Sequence, residues 1–447
     1  MKLWQKEFAV NRDIEKFTID DDRTTDLHLA TYDILGSLAH AHMLKNSGLV
    51  SELEWEKINE GLKDLYKDWE NGTFSIEDGV EDIHSEVEKR LIEKAGEAGK
   101  KIHTGRSRND QVLVDLRLYF RDQLLVLADH AGSLASLLIE LSTKNQNIFM
   151  PGYTHFQAAM PSSFGLWFGA YGESVTEDIE WLQAMFGILN RNPLGSAAGY
   201  GSSFPLNRKI TTDLLGFSSL NINSIAAQMG RGKTERMLSQ GMAQLADTLG
   251  RLSGEICLYM GQDFGFFNFP DELTTGSSIM PHKKNPDVFE LIRGKCNQVK
   301  SLVTELQLMT SNLPSGYHRD YQLMKARMIG SISVLSQCLT MMKFMLENIR
   351  VNPSLRELEK YKYVFSVELI NEYVRKGIPF RDAYTTVSQL ISEGKFKIPD
   401  SPAYTHEGST GNLMNDQILQ RLVKALNFFE EISAYVNSKF NFLLGRK

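Results

Sequence analysis

Proline is scarce in this chain and unevenly spread: of twelve in 447 residues, none precedes Pro151 and none falls between Pro205 and Pro270. Both intervals lack the residue that breaks helices, so long helices are allowed there. Cysteine is rarer still. Cys257, Cys296 and Cys338 are odd in number and widely spaced, which excludes a disulfide framework and a cysteine-based zinc site and fits a reducing cytoplasm. Charge is nearly balanced, with 49 Lys and Arg against 55 Asp and Glu and a net charge of -6. No block of like charge is long enough to track a phosphate backbone, so nucleic acid is not an expected partner. The opening run from Met1 to Glu7 has no apolar core of the signal-peptide kind, and no stretch reads as a bilayer span. Neither export nor a membrane is expected.

Two tempting motifs are incomplete. Gly230-Arg231-Gly232-Lys233-Thr234 ends like a phosphate-binding loop, but Ala227 occupies the position of that motif's first glycine. His40 and His42, two residues apart, diverge on a helix, and no carboxylate or cysteine pattern completes a metal set around them. No metal is expected.

What the chain has in quantity is helical periodicity. From 112 to 141, Leu116, Tyr119, Phe120, Leu124, Leu127, Leu134, Leu137, Leu138 and Leu141 recur mainly three and four apart, the mark of a long amphipathic helix. Similar patterns follow Pro161 and fill 234–260, 288–309 and 321–346, while strand-like alternation is nearly absent. Successive long helices bury their apolar stripes against one another, so an all-α fold is expected, with a long central helical bundle over 106–352. Shorter patterns, such as 51–68, predict an N-terminal helical domain over 1–105. Short segments punctuated by Gly377-Ile378-Pro379, Gly394 and a loop from Pro399 to Gly411 predict a small C-terminal helical domain over 353–447.

Chemistry concentrates in Gly276-Ser277-Ser278-Ile279-Met280-Pro281-His282-Lys283-Lys284-Asn285-Pro286. Gly276 frees the backbone, Pro281 and Pro286 interrupt regular structure, and two hydroxyls, two ammonium groups and a carboxamide crowd between them. Such a loop can close over an anion. Its Gly-Ser-Ser-Ile-Met-Pro-x-Lys-x-Asn core resembles the signature of the fumarase/aspartase superfamily. His103-Thr104-Gly105-Arg106-Ser107-Arg108-Asn109-Asp110-Gln111, Gly152-Tyr153-Thr154-His155-Phe156-Gln157, the run from Leu313 to Gln322 and the run from Arg375 to Ala383 extend the likeness over nearly the whole chain. Together they resemble the argininosuccinate lyase family, which eliminates arginine from argininosuccinate to give fumarate with no cofactor. The superfamily's adenylosuccinate and aspartate lyases lack the His103-to-Gln111 string, and a crystallin-like structural role on the same scaffold is countered by the catalytic residues retained.

The resemblance implies roles residue by residue. Ser277 matches the catalytic base, activated by a neighbouring cation in a dry pocket. Lys283 supports that alkoxide and the dianion formed from the substrate carboxylate, where fixed donors contribute most. Asn285 donates to a carboxylate oxygen. His155, after the helix-interrupting Pro151-Gly152 and in a position suited to a helix mouth, serves the leaving group, paired with Glu290 thirteen residues beyond Ser277. Asn109 and Thr154 are implied substrate contacts with Ser107 and Arg108 beside them, and Asn109 or Asp110 also suits the cap of the following helix. Tyr317, Gln322 and Lys325 match positions for the amino-acid part of the substrate. Glu81-Asp82-Ile83-His84 matches a segment near the site. Homotetramers with shared active sites are the family's habit. The likeness weakens at the arginine end. Counted back from Gly36-Ser37, Asp20 and Thr24 stand where the family has a serine and an aspartate, and Arg231 replaces a family arginine in altered surroundings.

Overall fold

The computed structural model describes residues 11–399 and 404–446. The opening run from Met1 to Glu7 and part of the loop after Pro399 lie outside them. The architecture is helical, as the periodicity predicts. Short helices α1 (Arg12–Ile19) and α2 (Asp22–Asp26) lead into α3 (Ala30–Asn46), α4 (Glu52–Glu70) and α5 (Ile83–Ala95). The start of α4 is set by a capping box in which Ser51 and Glu54 satisfy each other's free backbone N–H groups.

The bundle is built from α6 (Arg108–Lys144), then, after a β-hairpin of β1 (Phe149–Thr154) and β2 (Gln157–Ser163), α7 (Phe164–Leu189). Two-residue strands β3 (Arg191–Asn192) and β4 (Ser219–Leu220) flank α8 (Arg208–Leu214), and α9 (Ser224–Met229) precedes α10 (Lys233–Met260). Strand β5 (Phe267–Asn268) leads to α11 (Asp287–Met309), α12 (Met324–Glu347) and β6 (Arg350–Val351), the last paired with β5. The C-terminal part comprises α13 (Ser366–Arg375), α14 (Phe380–Ser392) and α15 (Asn415–Leu444).

Helices α6 and α7 pack together, as do α10 and α11, with α12 against both α6 and α11. Along α6, Leu124, Leu127, Ala128, Ala131, Leu134 and Leu138 are completely or almost completely buried. Each leucine removed from water contributes about 1.5–3 kcal/mol, so the seam dominates the stability of the long helices. At the foot of α7 the backbones nearly touch: a Cβ on Gly165 would lie 2.4 Å from the Gln146 Cα, and only glycine fits. The core is continuous from Leu29 to Leu443, and a second small cluster of Val364, Phe365, Ile370, Ala383, Val387 and Phe396 holds α13 and α14.

Three expectations need correction. Helices Arg108–Lys144 and Arg319–Glu347 each hold an 18-residue stretch, of mean hydropathy 1.6 and 1.4, long and apolar enough for a membrane span by composition. Their apolar character serves the bundle, where α6 and α12 pack against one another. The C-terminal segment also contains more than short helices, because α15 runs for 30 residues. It returns to α6 and α7 and buries Ile418, Leu422, Ala425 and Phe429 at helical spacing. Finally, Pro151 and Gly152 interrupt no helix but lie inside β1, paired with Pro161 and Met160 of β2.

Candidate active site

A cavity of about 260 Å³ opens where α2, the starts of α5 and α6, the turn before α10 and the start of α12 converge. Its geometry begins with a helix cap. Ser107, rather than Asn109 or Asp110, is the N-cap of α6: its hydroxyl accepts from the Asn109 N–H at 3.2 Å, and its own N–H donates to Asp110 Oδ1 at 2.9 Å. The other Asp110 oxygen accepts from the N–H groups of Gly195 and Ala197 at 2.9 and 2.8 Å, which fixes the helix mouth to the loop beyond α7. The first turn of α6 thereby carries Arg108 and Asn109 to the cavity wall.

Charge lines the cavity in matched groups. Arg108 Nη1 lies 3.3 Å from Glu81 Oε2 and 3.2 Å from Asp82 Oδ2. Arg319 bonds the other Glu81 oxygen at 3.1 Å and the Thr18 carbonyl at 2.9 Å, and Gln322 donates to that carbonyl at 2.8 Å. Lys325, buried on α12, sits between Asp22 Oδ1 at 2.8 Å and Asp26 Oδ1 at 2.5 Å. Burial opposes its charge, but the two carboxylates overcome that and hold the ammonium above its ordinary value. Burial raises Asp22 to about 6, with Lys325 pulling the other way. Arg231 pairs with Glu235 at 3.0 Å and donates to the Tyr321 carbonyl at 3.0 Å.

Of the residues picked from sequence, the cavity gathers Arg108, Asn109, Arg231, Tyr317, Gln322 and Lys325, together with Glu81, Asp82 and His84 of the segment expected near the site. The others lie elsewhere. Asp20 and Thr24 are exposed, with Asp20 ending α1, while Asp22 and Asp26 line the cavity in their stead. The ungapped count was two residues out of step with the turn that starts α2. Ser107 is committed to the helix cap. His155 stands at no helix mouth: with Phe156 it forms the exposed two-residue tip between β1 and β2, at φ 52° and 58°. Thr154 is exposed beside it.

The Ser277 loop is a second exposed element, pinched at its base. The Asn285 N–H donates to the Thr275 carbonyl at 2.8 Å, the Asn285 carboxamide donates to the Gly276 carbonyl at 3.3 Å, and Thr275 also bonds Asp287. Ser277 Oγ accepts from the Ile279 N–H at 3.4 Å, Lys284 reaches Asp271, and Lys283 is exposed. Glu290 is exposed on the first turn of α11, and no hydrogen bond or ion pair joins it to His155 among the described residues.

Sequence reading missed Asp22 and Asp26, and it missed a buried Asp33–His84–Asp115 group whose atoms could together hold a metal ion. Its members lie on α3, α5 and α6, so no local spacing reveals them; the motif containing His84 was the available pointer.

A helical bundle with a charged cavity at one helix mouth and a Gly-Ser-Ser loop is the architecture of a lyase class, and the family model described as Lyase matches residues 6–301. An EDDS lyase variant with bound fumarate superposes at TM-score 0.78 with 21% identity, over 98% of this chain and 95% of that one. A class II fumarase from Schistosoma mansoni does so at 0.72 with 16% identity, over 88% and 90%. These likenesses establish the fold. The argininosuccinate lyase of Bacteroides thetaiotaomicron is 52% identical over 430 residues, 96% of either chain. That of Thermotoga neapolitana is 40% identical over 394 residues, 88% of this chain and 99% of its own. The chain belongs to the argininosuccinate lyase family.

Proposed function

We propose that this protein eliminates arginine from argininosuccinate and releases fumarate, a carbon–nitrogen lyase step of arginine biosynthesis. The observation that carries the reading is the intact Gly276-to-Asn285 loop in a chain 52% identical to a named argininosuccinate lyase. In this reading Ser277, as the alkoxide, takes the proton from the carbon next to the substrate carboxylate. Lys283 and Asn285 hold the resulting dianion, whose charge is the costly feature of the transition state. As the C–N bond breaks, His155, oriented by Glu290, delivers a proton to the departing nitrogen directly or through water. Asn109 and Thr154 hold the substrate, and Arg108, Arg231, Tyr317, Gln322 and Lys325 form the wall for its amino-acid end, with Ser107 fixing the helix that presents them. No step calls for a cofactor.

We further propose a homotetramer with shared active sites in the cytoplasm. The support is geometric: the hairpin tip and the Ser277 loop are exposed and line no part of the charged cavity. Trp181, Leu291, Leu308 and Phe344, all on bundle helices, are at least 46% exposed. Such apolar area suits a helix-to-helix interface between copies. Division into units near 105 and 352 belongs to the same proposal, with α15 crossing back to the bundle. An absorbance assay for fumarate with argininosuccinate, adenylosuccinate and aspartate tests the reaction. Release from argininosuccinate alone is expected, and release from either other substrate in its place overturns the reading.

A further inference from the structure

Three ionisable side chains meet beneath the cavity, where helices distant in sequence converge. Asp33 comes from the first turn of α3, His84 from the first turn of α5 and Asp115 from the second turn of α6. Both aspartates are 0% exposed and the histidine 6%. His84 Nδ1 lies 2.9 Å from Asp33 Oδ1 and 3.4 Å from Asp115 Oδ2. Gln111 Nε2 donates to the same Asp33 oxygen at 2.6 Å. No hydrogen-bond donor satisfies either oxygen of Asp115, or Asp33 Oδ2, among the described residues. Yet an oxygen of each aspartate and a His84 ring nitrogen all lie within 4.8 Å of one another. Facing carboxylates in a dry interior repel, and each buried acceptor without a donor costs about 1–3 kcal/mol. One proton ends the repulsion and supplies a missing donor: an acid O–H on Asp115 donates to Asp33, whose ionised carboxylate then faces the imidazole and Gln111.

We propose that Asp115 is a neutral acid sharing its proton with Asp33, that Asp33 holds His84 as an imidazolium, and that His84 offers Nε2 to the cavity as a binding group for a substrate carboxylate. Asp33 and Asp115 act through His84 and are positioning residues. The last clause rests on the lyase reading; the proton assignment does not.

Charged side chains on the neighbouring elements face the group. From α2 and α12, Asp22 and Asp26 share the single ammonium of Lys325. Arg108 of α6 faces Glu81 and Asp82 beside His84, and Arg106, from the turn before α6, donates to Ser37 at 2.9 Å. An ionised Asp33, a cationic His84 and a neutral Asp115 sum to zero. The electrostatic directions agree. Burial lifts Asp115 well above the carboxylate range and the charge of Asp33 adds to it, against the pull of Arg106; burial opposes the charged forms of Asp33 and His84, but their pairing prevails in both.

The test uses the full-length protein labelled with nitrogen-15 histidine. In solid-state spectra at about pH 8, where an ordinary imidazole is neutral, the His84 signal, assigned by its loss in His84→Gln, is expected to show both ring nitrogens protonated. Asp115→Asn, a neutral amide that donates as the acid does, is expected to keep activity within about threefold. Asp33→Asn is expected to raise KM by about tenfold or more at that pH, and progressively with pH, because burial then drives the imidazole neutral. A neutral His84 ring in the unmutated protein overturns the assignment even if neither aspartate variant folds. So does a loss beyond about tenfold in an Asp115→Asn protein that melts normally, since it would show that the anion is needed. Stoichiometric metal by elemental analysis would give the group to an ion instead. If the protein releases no fumarate from argininosuccinate, the lyase reading falls while the ring-nitrogen result stands.

Discussion

Lys325→Met removes the one cation between two carboxylates. Its side chain is 6% exposed, Asp26 is 1% and Asp22 16%. Taking one partner from a buried ion pair typically costs about 3–5 kcal/mol, because the remaining charge stays desolvated and unpaired. Here two like charges are left, and Asp22 is already raised to about 6 with the ammonium in place. The sign of the pH dependence follows. In the variant Asp22 binds its proton still more tightly folded than unfolded, so the native state holds more protons and its stability falls as pH rises, by about 1.4 kcal/mol per pH unit for each proton involved. The deficit relative to the parent should therefore be near the bottom of that range at pH about 5 and near the top at pH about 8. Urea unfolding at fixed protein concentration, needed because the proposed assembly would contribute to apparent stability, measures both. An equal deficit at the two pH values, or a larger one in acid, would refute the argument that Lys325 is there to neutralise Asp22 and Asp26.

Ser277→Ala should lower single-turnover fumarate release by about 10² or more. It should leave the melting temperature unchanged, since the hydroxyl makes one long hydrogen bond at 3.4 Å in an exposed loop. Mixing His155→Asn chains with Ser277→Ala chains under mild dissociation should restore activity; verified hybrids that stay inactive would place both residues in one chain's site. Asp22→Asn should raise KM for argininosuccinate by about tenfold, the scale of a lost charged contact, whereas Asp20→Asn should leave all constants unchanged at low salt. An effect from Asp20 with none from Asp22 would reverse the placement of the cavity.

The long helices were legible because two local signals agreed, apolar spacing and the absence of proline, and neither depends on tertiary contacts. Helix α6 begins four residues before its predicted apolar run because Ser107 and Asp110 form a cap whose side chains are polar and invisible to periodicity. Strands β1 and β2 were illegible for the opposite reason: Pro151, Gly152 and Pro161 weaken any strand pattern, and pairing across the hairpin supplies what local preference does not. The same division runs through the site. Arg108, Asn109, Tyr317 and Gln322 stand in contiguous motifs, with Lys325 three residues beyond the last. Asp22, Asp26, Asp33 and Asp115 acquire their chemistry from burial and from partners on other helices, which arise only after packing.

The hairpin tip carries one further consequence. Turns of two residues with left-handed backbone favour Asn-Gly, yet this one is His155-Phe156, and each non-glycine residue in that conformation costs about 1–2 kcal/mol. A longer loop would relax the cost and let the imidazole wander. Two residues leave no slack, so the histidine is carried as on a stiff boom whose bearing is set by strand register. Inserting a single residue at the tip should thus relieve backbone strain and leave the bundle intact, while swinging the imidazole to a different bearing.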